Sequence, residues 1–216
     1  INTEMLMEEA GPGTSLHQSL QQVLTSAYRQ RDLVKQILAF SRRTEQQLKP
    51  ISVVPLVKEA VRFLRSSLPS TTEIRQHIDV RSDMVMGDPA QILQAIMNLC
   101  SNAAEALDSQ AGDIDVSLTN VHIEELKSHP EIKPGEYLKL EVRDTGRGMT
   151  REVVERVFEP FFTTKDISKA SGMGLAVVHG IVRGHRGAVM AESTPGKGSL
   201  FTVYLPLLDE NYRQQM

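Results

Sequence analysis

An α+β sandwich with a helical hairpin in front is the fold class that the sequence predicts, and three observations predict it. Residues 14–48 carry an apolar stripe of helical period that runs far longer than one small domain is wide. From residue 50 the texture changes to short helices alternating with strands of period two. The chain then closes on a helix followed by two strands. Composition narrows the class. The 216 residues are 40% hydrophobic and 24% charged, an ordinary globular balance. The lone cysteine, Cys100, excludes an intrachain disulfide and a cysteine-based zinc site. A net charge of −3 gives no electrostatic case for nucleic acid or an anionic membrane. No apolar run approaches the roughly 18 residues of a membrane span, and no signal peptide opens the chain. The first residue is Ile1 rather than Met, so a piece of something longer is expected.

In the long helix Leu16, Leu20, Val23, Ala27, Gln30, Val34, Ile37 and Ser41 fall at spacings of four and three, and Leu24, Leu33 and Leu38 widen the stripe. At 1.5 Å per residue it would be about 50 Å long and needs a partner along its length. An antiparallel hairpin or dimeric bundle supplies one; a surface helix packed on the domain is the alternative. INTEMLMEEA reads as the end of a partner helix, closed by the turn Gly11-Pro12-Gly13. Lys49-Pro50 breaks the long helix. A short helix is predicted from Val54 to Leu64 and a strand from Glu73 to Val80. At Asp88-Pro89 the Asp caps, the Pro takes the first turn and Gln91 completes a capping-box spacing, for a helix reaching about Leu107. Strands are predicted at 113–119 and 137–143, with a charged loop or hairpin excursion at 120–136. Helix 150–157 leads into an irregular stretch. A helix from about Met173 to Val182 and strands at 187–193 and 199–205 follow, and the polar tail is expected to fray.

Three stretches carry chemistry. On the helix from Asp88, Gln91, Gln94, Asn98, Asn102 and Glu105 form a polar stripe beside the apolar face. Such stripes usually face solvent, but two Asn one turn apart are poor helix formers whose amides suit a hard cation or a phosphate. Next, Asp144-Thr145-Gly146-Arg147-Gly148-Met149 follows a strand in which 138, 140, 142 and 144 share one face, which places Asp144 in the buried row. A buried carboxylate needs a donor, and the amino group of a bound base would serve; a turn or cap Asp is the alternative. Third, Phe158-Glu159-Pro160-Phe161-Phe162-Thr163-Thr164-Lys165 gathers three of the chain's six Phe, and Gly172-Met173-Gly174-Leu175 opens a helix whose amides and dipole favour an anion. Val177 stands where a Rossmann fingerprint needs its third glycine, and Pro195-Gly196-Lys197-Gly198-Ser199 lacks the upstream glycine of a Walker loop.

From about residue 50 the chain resembles the ATP-binding catalytic domain of sensor histidine kinases, within the wider GHKL, or Bergerat, ATPase fold. NLCSNAAEAL resembles the N box, DTGRGM the first glycine box and FEPFFTTK the F box; GMGLAVVHGIV and TPGKGSLFTVYLP resemble the second and third glycine motifs, all in the family's order and spacing. LVKQILAFSRR resembles the second helix of the dimerisation and phosphotransfer hairpin. The resemblance implies a two-layer sandwich whose mixed, mostly antiparallel sheet is covered by helices on one face. It divides the chain into a hairpin part at 1–49 and an ATP-binding catalytic domain at 50–216. It also implies roles. Asn102 would coordinate Mg²⁺ on the ATP phosphates, with Asn98 in support, and Asp144 would accept from the adenine amino group, helped by a water that Thr202 holds. Gly146, Gly148 and Met149 would shape the base pocket. Phe158, Phe161, Thr163, Thr164 and Lys165 would begin the lid over the nucleotide, Lys165 joining Asn98 and Asn102 in catalysis. Gly172, Met173, Gly174 and Leu175 would hinge the lid and offer amides to phosphate.

Two departures from the family pattern stand out. Glu105 replaces a Lys common in relatives, and an ion pair from Glu105 to Arg147 is expected. The acceptor-histidine motif is absent, so the fragment is expected not to phosphorylate itself. The resemblance further implies relay to a response-regulator receiver domain and a homodimer through the hairpin. It implies no nucleic acid, no direct membrane contact in these residues, and a cytoplasmic location, free or as part of a membrane-bound sensor. An ATP hydrolase of the same fold is the alternative; such enzymes carry a Glu where Asn98 stands, and Asn cannot act as a base. A non-catalytic nucleotide-sensing dimer module is the third reading.

Overall fold

In the computed structural model residues 6, 10, 11, 14, 16, 17, 19 and 20 are described, and then residues 48–68, 71–108, 111–124, 132–164 and 172–208. The chain divides into two compact units, Ile1–Thr44 and Glu45–Met216. In the first unit Gly11 has φ +68°. The Thr14 hydroxyl donates to the Ala10 carbonyl and accepts from the His17 N–H at 3.1 Å, the geometry of a helix N-cap. Leu16, His17, Ser19 and Leu20 are helical, and the rest of the helix expected over 14–48 lies outside the described residues.

The second unit is the expected α+β sandwich. Its elements are β1 (Lys49–Ser52), α1 (Val54–Ser67), β2 (Thr72–Asp79), β3 (Met84–Gly87), α2 (Pro89–Ala106), β4 (Gly112–Ile123), β5 (Gly135–Asp144), α3 (Arg151–Arg156), α4 (Gly174–Gly184), β6 (Ala188–Thr194) and β7 (Gly198–Pro206). The main sheet has the order β2-β4-β5-β7-β6. Among the described strands only β2 and β4 pair in parallel, and the chain between them crosses over through α2. A separate two-stranded sheet pairs β1 with β3 antiparallel. Sequence reading missed both of these strands: each is four residues long, too short for a period to show, and Pro50 lies within β1.

Period-two patterning decides what the sheet buries. Ile114, Val116 and Leu118 of β4, Leu138, Leu140 and Val142 of β5, and Phe201, Val203 and Leu205 of β7 all lie in one core with residues of α1, α2 and α4. The opposite face is polar along its middle. There Ser117 donates to Glu141 at 3.2 Å, Lys139 pairs with Glu141 at 3.0 Å and Arg75 bridges to Asp113 at 3.0 Å. The stretch expected as a loop from 120 is strand as far as Ile123. Its residues Val121 and Ile123 join Ile132, Tyr137, Ala188 and Tyr204 in a second small apolar cluster, which accounts for the longer pairing. No helix among the described residues is long and apolar enough to cross a membrane.

Candidate nucleotide-binding site

Helix α2 begins as its sequence dictates. Asp88 Oδ1 accepts from the N–H groups of Ala90 at 2.9 Å and Gln91 at 3.3 Å, with Pro89 in the first turn. The reciprocal half of the expected capping box is different. Gln91 Nε2 donates to Asp88 Oδ2 at 3.4 Å, and the Asp88 N–H donates instead to Nε2 of His185 at 3.0 Å. His185 is buried at the end of α4, its Nδ1 donating to the Ile181 carbonyl at 2.7 Å. The carbonyl on one nitrogen and the N–H on the other fix the neutral tautomer with the proton on Nδ1.

The middle of the polar stripe, Asn98 and Asn102, turns toward α4, while Glu105 at its end is exposed. Asn98 Nδ2 donates to the Gly174 carbonyl at 3.1 Å, so the start of α2 and its middle are both tied to α4. One turn on, Asn102 Nδ2 is buried with no hydrogen-bond partner. A Cβ placed on Gly174 would lie 3.9 Å from that nitrogen, so Asn102 faces the first turn of α4. That turn has amides which no helical carbonyl satisfies. An orphaned buried amide beside free helix N–H groups is the chemistry of a phosphate site. Turned one way the Asn102 amide donates to a phosphate oxygen; turned the other it offers Oδ1 to a hard cation. Among the described residues no cluster of three His, Cys, Asp or Glu exists to hold a metal by itself. An Mg²⁺ here would rest on Asn102, the phosphates and water, a donor set that suits this ion. Cys100, buried on the other side of α2, has its thiol pushed up to about 12 by burial and is no nucleophile.

Asp144 stands where parity predicted, on the buried face, 2% exposed. Register sets its neighbours. Asp144 pairs with Ser199 of β7, which pairs with Ser193 of β6, so the end of the core face carries a polar rank across three strands. The rank behind it, Ala191, Phe201 and Val142, is apolar. Burial raises the Asp144 pKa, while the N–H of Gly146 (2.8 Å to Oδ1) and the N–H and hydroxyl of Ser199 hold the charged form and oppose the rise. Among the described residues no cation pairs with it. Thr202 does not belong to this site. It is buried, but it pairs with Glu141 and Met190 and stands three residues from Ser199, an odd separation, so it lies on the opposite face of the sheet. Ser199 holds the place expected of Thr202. The signal that would have found it was the alternation within GSLFTVYLP counted from the β6–β7 turn.

The glycine loop threads between α2 and the β6–β7 hairpin. Arg147 N–H donates to the Ala106 carbonyl at 3.0 Å, Gly196 N–H to the Arg147 carbonyl at 2.7 Å, and Met149 N–H to Ser193 Oγ at 2.8 Å. Gly148 has φ +65°, and a Cβ there would meet the Thr194 carbonyl oxygen at 2.0 Å, so only glycine fits. The expected ion pair from Glu105 to Arg147 is not formed among the described residues. Both side chains are exposed, Glu105 has another interaction, and an exposed pair gains too little to dictate geometry.

Beyond the loop the F-box residues separate. Phe158 packs against the core, edge-on to Phe201 at 6.4 Å and tilted on His179 at 5.9 Å, so it supports the pocket wall from behind. Phe162 lies under the Arg156 guanidinium at 4.4 Å, while Phe161 is 62% exposed. A Cβ on Gly172 would sit 2.6 Å from the Phe161 carbonyl carbon, so the two ends of the segment between them touch. Thr163 and Thr164 follow directly, Met173 is buried, and Leu175 is half-buried against the core. Lys165 lies outside the described residues.

With this geometry in place, the similarity to known proteins can be stated. Residues 87–209 match the family described as histidine kinase-, DNA gyrase B-, and HSP90-like ATPase. The chain is 30% identical over 217 residues to the sensor kinase CckA of Brucella abortus, an alignment covering 99% of this chain and 23% of that protein. It is also 30% identical over 202 residues to the sensor histidine kinase ZraS of Escherichia coli strain K12, covering 93% of this chain and 40% of that one. It thus spans less than half of either relative. Among solved structures, the mycobacterial sensor histidine kinase MprB matches with a TM-score of 0.59 at 24% identity over 74% of this chain and 97% of its own. The histidine kinase ThkA, solved in complex with the response regulator TrrA, matches at 0.69 with 21% identity over 97% of this chain and 57% of its own. Both agree in fold.

Proposed function

The chain belongs to the histidine kinase-, DNA gyrase B-, and HSP90-like ATPase family, and from that premise we propose that it binds MgATP as the catalytic part of a histidine protein kinase. The observations that carry the reading are Asp144, a buried carboxylate met among the described residues by neutral donors, and the orphaned Asn102 amide beside the first turn of α4. Asp144 accepts from the exocyclic amine of adenine, and a guanine, with an oxygen at that position, is repelled. Gly146, Gly148 and Met149 form the edge of the base site. The phosphates lie along Asn102 and the first turn of α4 at Gly174 and Leu175. Asn102 would hold Mg²⁺ through its amide oxygen, and the ion would supply neutralisation of the phosphate charge there. Thr163, Thr164 and Lys165 open the lid segment, and Gly172 closes it.

The reaction proposed is transfer of the γ-phosphoryl group to a histidine on a helical hairpin, for relay to a receiver-domain aspartate. Residues 1–49 are the hairpin part and carry the homodimer; residues 50–216 are the catalytic domain, working in the cytoplasm. The relatives named sensor kinases and the ThkA–TrrA complex support this. Hydrolysis is disfavoured, because Asn98 occupies the place of the hydrolases' basic Glu and its amide is committed to the Gly174 carbonyl. Three of the described histidines are already engaged: His185 is buried with both ring nitrogens bonded, His179 lies against Phe158, and His122 pairs with Glu136 at 2.6 Å.

Calorimetric titration with MgATP and with adenosine tests the site. Asp144→Asn weakens both ligands roughly tenfold to a hundredfold, the worth of a hydrogen bond to a charged group. Asn102→Ala weakens MgATP and leaves adenosine unchanged. Equal losses of both ligands in Asn102→Ala would refute the assignment of the two ends.

A further inference from the structure

The polar rank across the end of the sheet contains one member that the nucleotide reading leaves without a task, Ser193. It lies on β6, half-buried, opposite Ser199 in register. Its hydroxyl is the junction of three hydrogen bonds. The Met149 N–H donates to it at 2.8 Å, and the Gly198 carbonyl at 2.8 Å and Ser199 Oγ at 3.0 Å stand as acceptors for its proton. Counting protons settles what each hydroxyl has to give. Ser199 has one, and the register sets its hydroxyl directly opposite the Asp144 carboxylate, the one charged acceptor in the rank. Ser199 Oγ is then an acceptor toward Ser193, whose own proton points at it or at Gly198. The chain of bonds therefore runs from the Met149 amide through Ser193 and Ser199 to the carboxylate, joining glycine loop, β6, β7 and β5 in one line. A hydroxyl that merely closed the β6–β7 turn needs only the Gly198 carbonyl. The Met149 and Ser199 contacts go beyond that task.

We propose that Ser193 is a positioning residue for base recognition. By donating to Ser199 it keeps the Ser199 proton on Asp144. By accepting from Met149 it holds the glycine loop at the edge of the base. Asp144 then keeps its remaining lone pairs fixed toward an exocyclic amine, and the preference for adenine over guanine depends on Ser193 although it touches neither base. This inference rests on the reading of Asp144 as the base acceptor.

The test measures Kd for ATP, ADP and GTP on the whole chain as wild type, Ser193→Ala and Ser193→Thr. Without the hydroxyl, ATP and ADP bind about tenfold more weakly, alike because the affected end is the base. The ATP-to-GTP preference narrows by a similar factor, and Thr restores both. A purely structural hydroxyl lowers the melting temperature of Ser193→Ala without moving the preference, and that result overturns the proposal, as does a Thr variant that folds and fails to restore it. If Ser193→Ala does not fold, Ser193→Cys, of similar shape but a weak donor, is read for the same ratio. Wild type that binds ATP with the Ser193 variants unchanged defeats the role of Ser193 alone. Wild type that binds neither ATP nor GTP defeats the nucleotide site and this role together.

Discussion

Ionised Asp144 faces the core side of the sheet with neutral donors around it and, among the described residues, no counter-charge, so the folded protein holds that charge at a cost. Its pKa is raised, so between the ordinary carboxylate value of 3.8 and the raised one the folded state binds more protons than the unfolded chain. Stability then falls as pH climbs through that window. Asp144→Asn removes the cost. It melts above wild type at neutral pH, with the gap closing as pH drops below the ordinary carboxylate range, while nucleotide binding weakens by about tenfold to a hundredfold. A scan by circular dichroism across pH checks this, and a variant that melts below wild type at neutral pH would show the carboxylate to be structurally required. A residue held at a stability cost is common in binding sites. The sequence made Asp144 legible because strand parity needs only the apolar residues at 138, 140 and 142. It did not make Ser199 legible over Thr202, because cross-strand register depends on where β7 starts, and a one-residue shift exchanges the two faces.

At the scale of elements the site is the gap between α2 and α4, and two side chains set its width. Asn98 ties the middle of α2 to the start of α4, and His185 ties the end of α4 to the N-cap of α2. His185→Leu keeps the buried volume and strands the Asp88 N–H without an acceptor, at about 1–3 kcal/mol. Thermal unfolding is expected to drop by roughly 2–4 °C per kcal/mol for a domain of this size. An unchanged melting temperature would mean that water replaces the imidazole and that the tie is dispensable. Helix α2 was readable from its cap, its apolar face and its end. The contact to His185 was not, since 97 residues separate it from Asp88. The strands β1 and β3 escaped for a related reason: their partners are each other, and neither is long enough to carry a pattern alone.

On the scale of the molecule, every residue of the base and phosphate ends lies in the Glu45–Met216 unit, with its own core. The Ile1–Thr44 unit carries none of them, although its residues resemble the hairpin that receives the phosphoryl group. The proposed function turns on that separation: the Glu45–Met216 unit binds the nucleotide, and the γ-phosphoryl group goes to a histidine outside that unit. The fold class was legible because the two halves differ in hydrophobic period. The expectation that these residues do not phosphorylate themselves came from the acceptor-histidine motif they lack. The most direct measurement follows the γ-phosphate. Labelled ATP and Mg²⁺ are incubated with this chain alone and with a version preceded by a complete hairpin helix bearing a histidine. Acid-labile label on the second protein and none on the first is the predicted result. Free phosphate released by both, with neither protein labelled, would contradict it and make the chain a hydrolase despite Asn98.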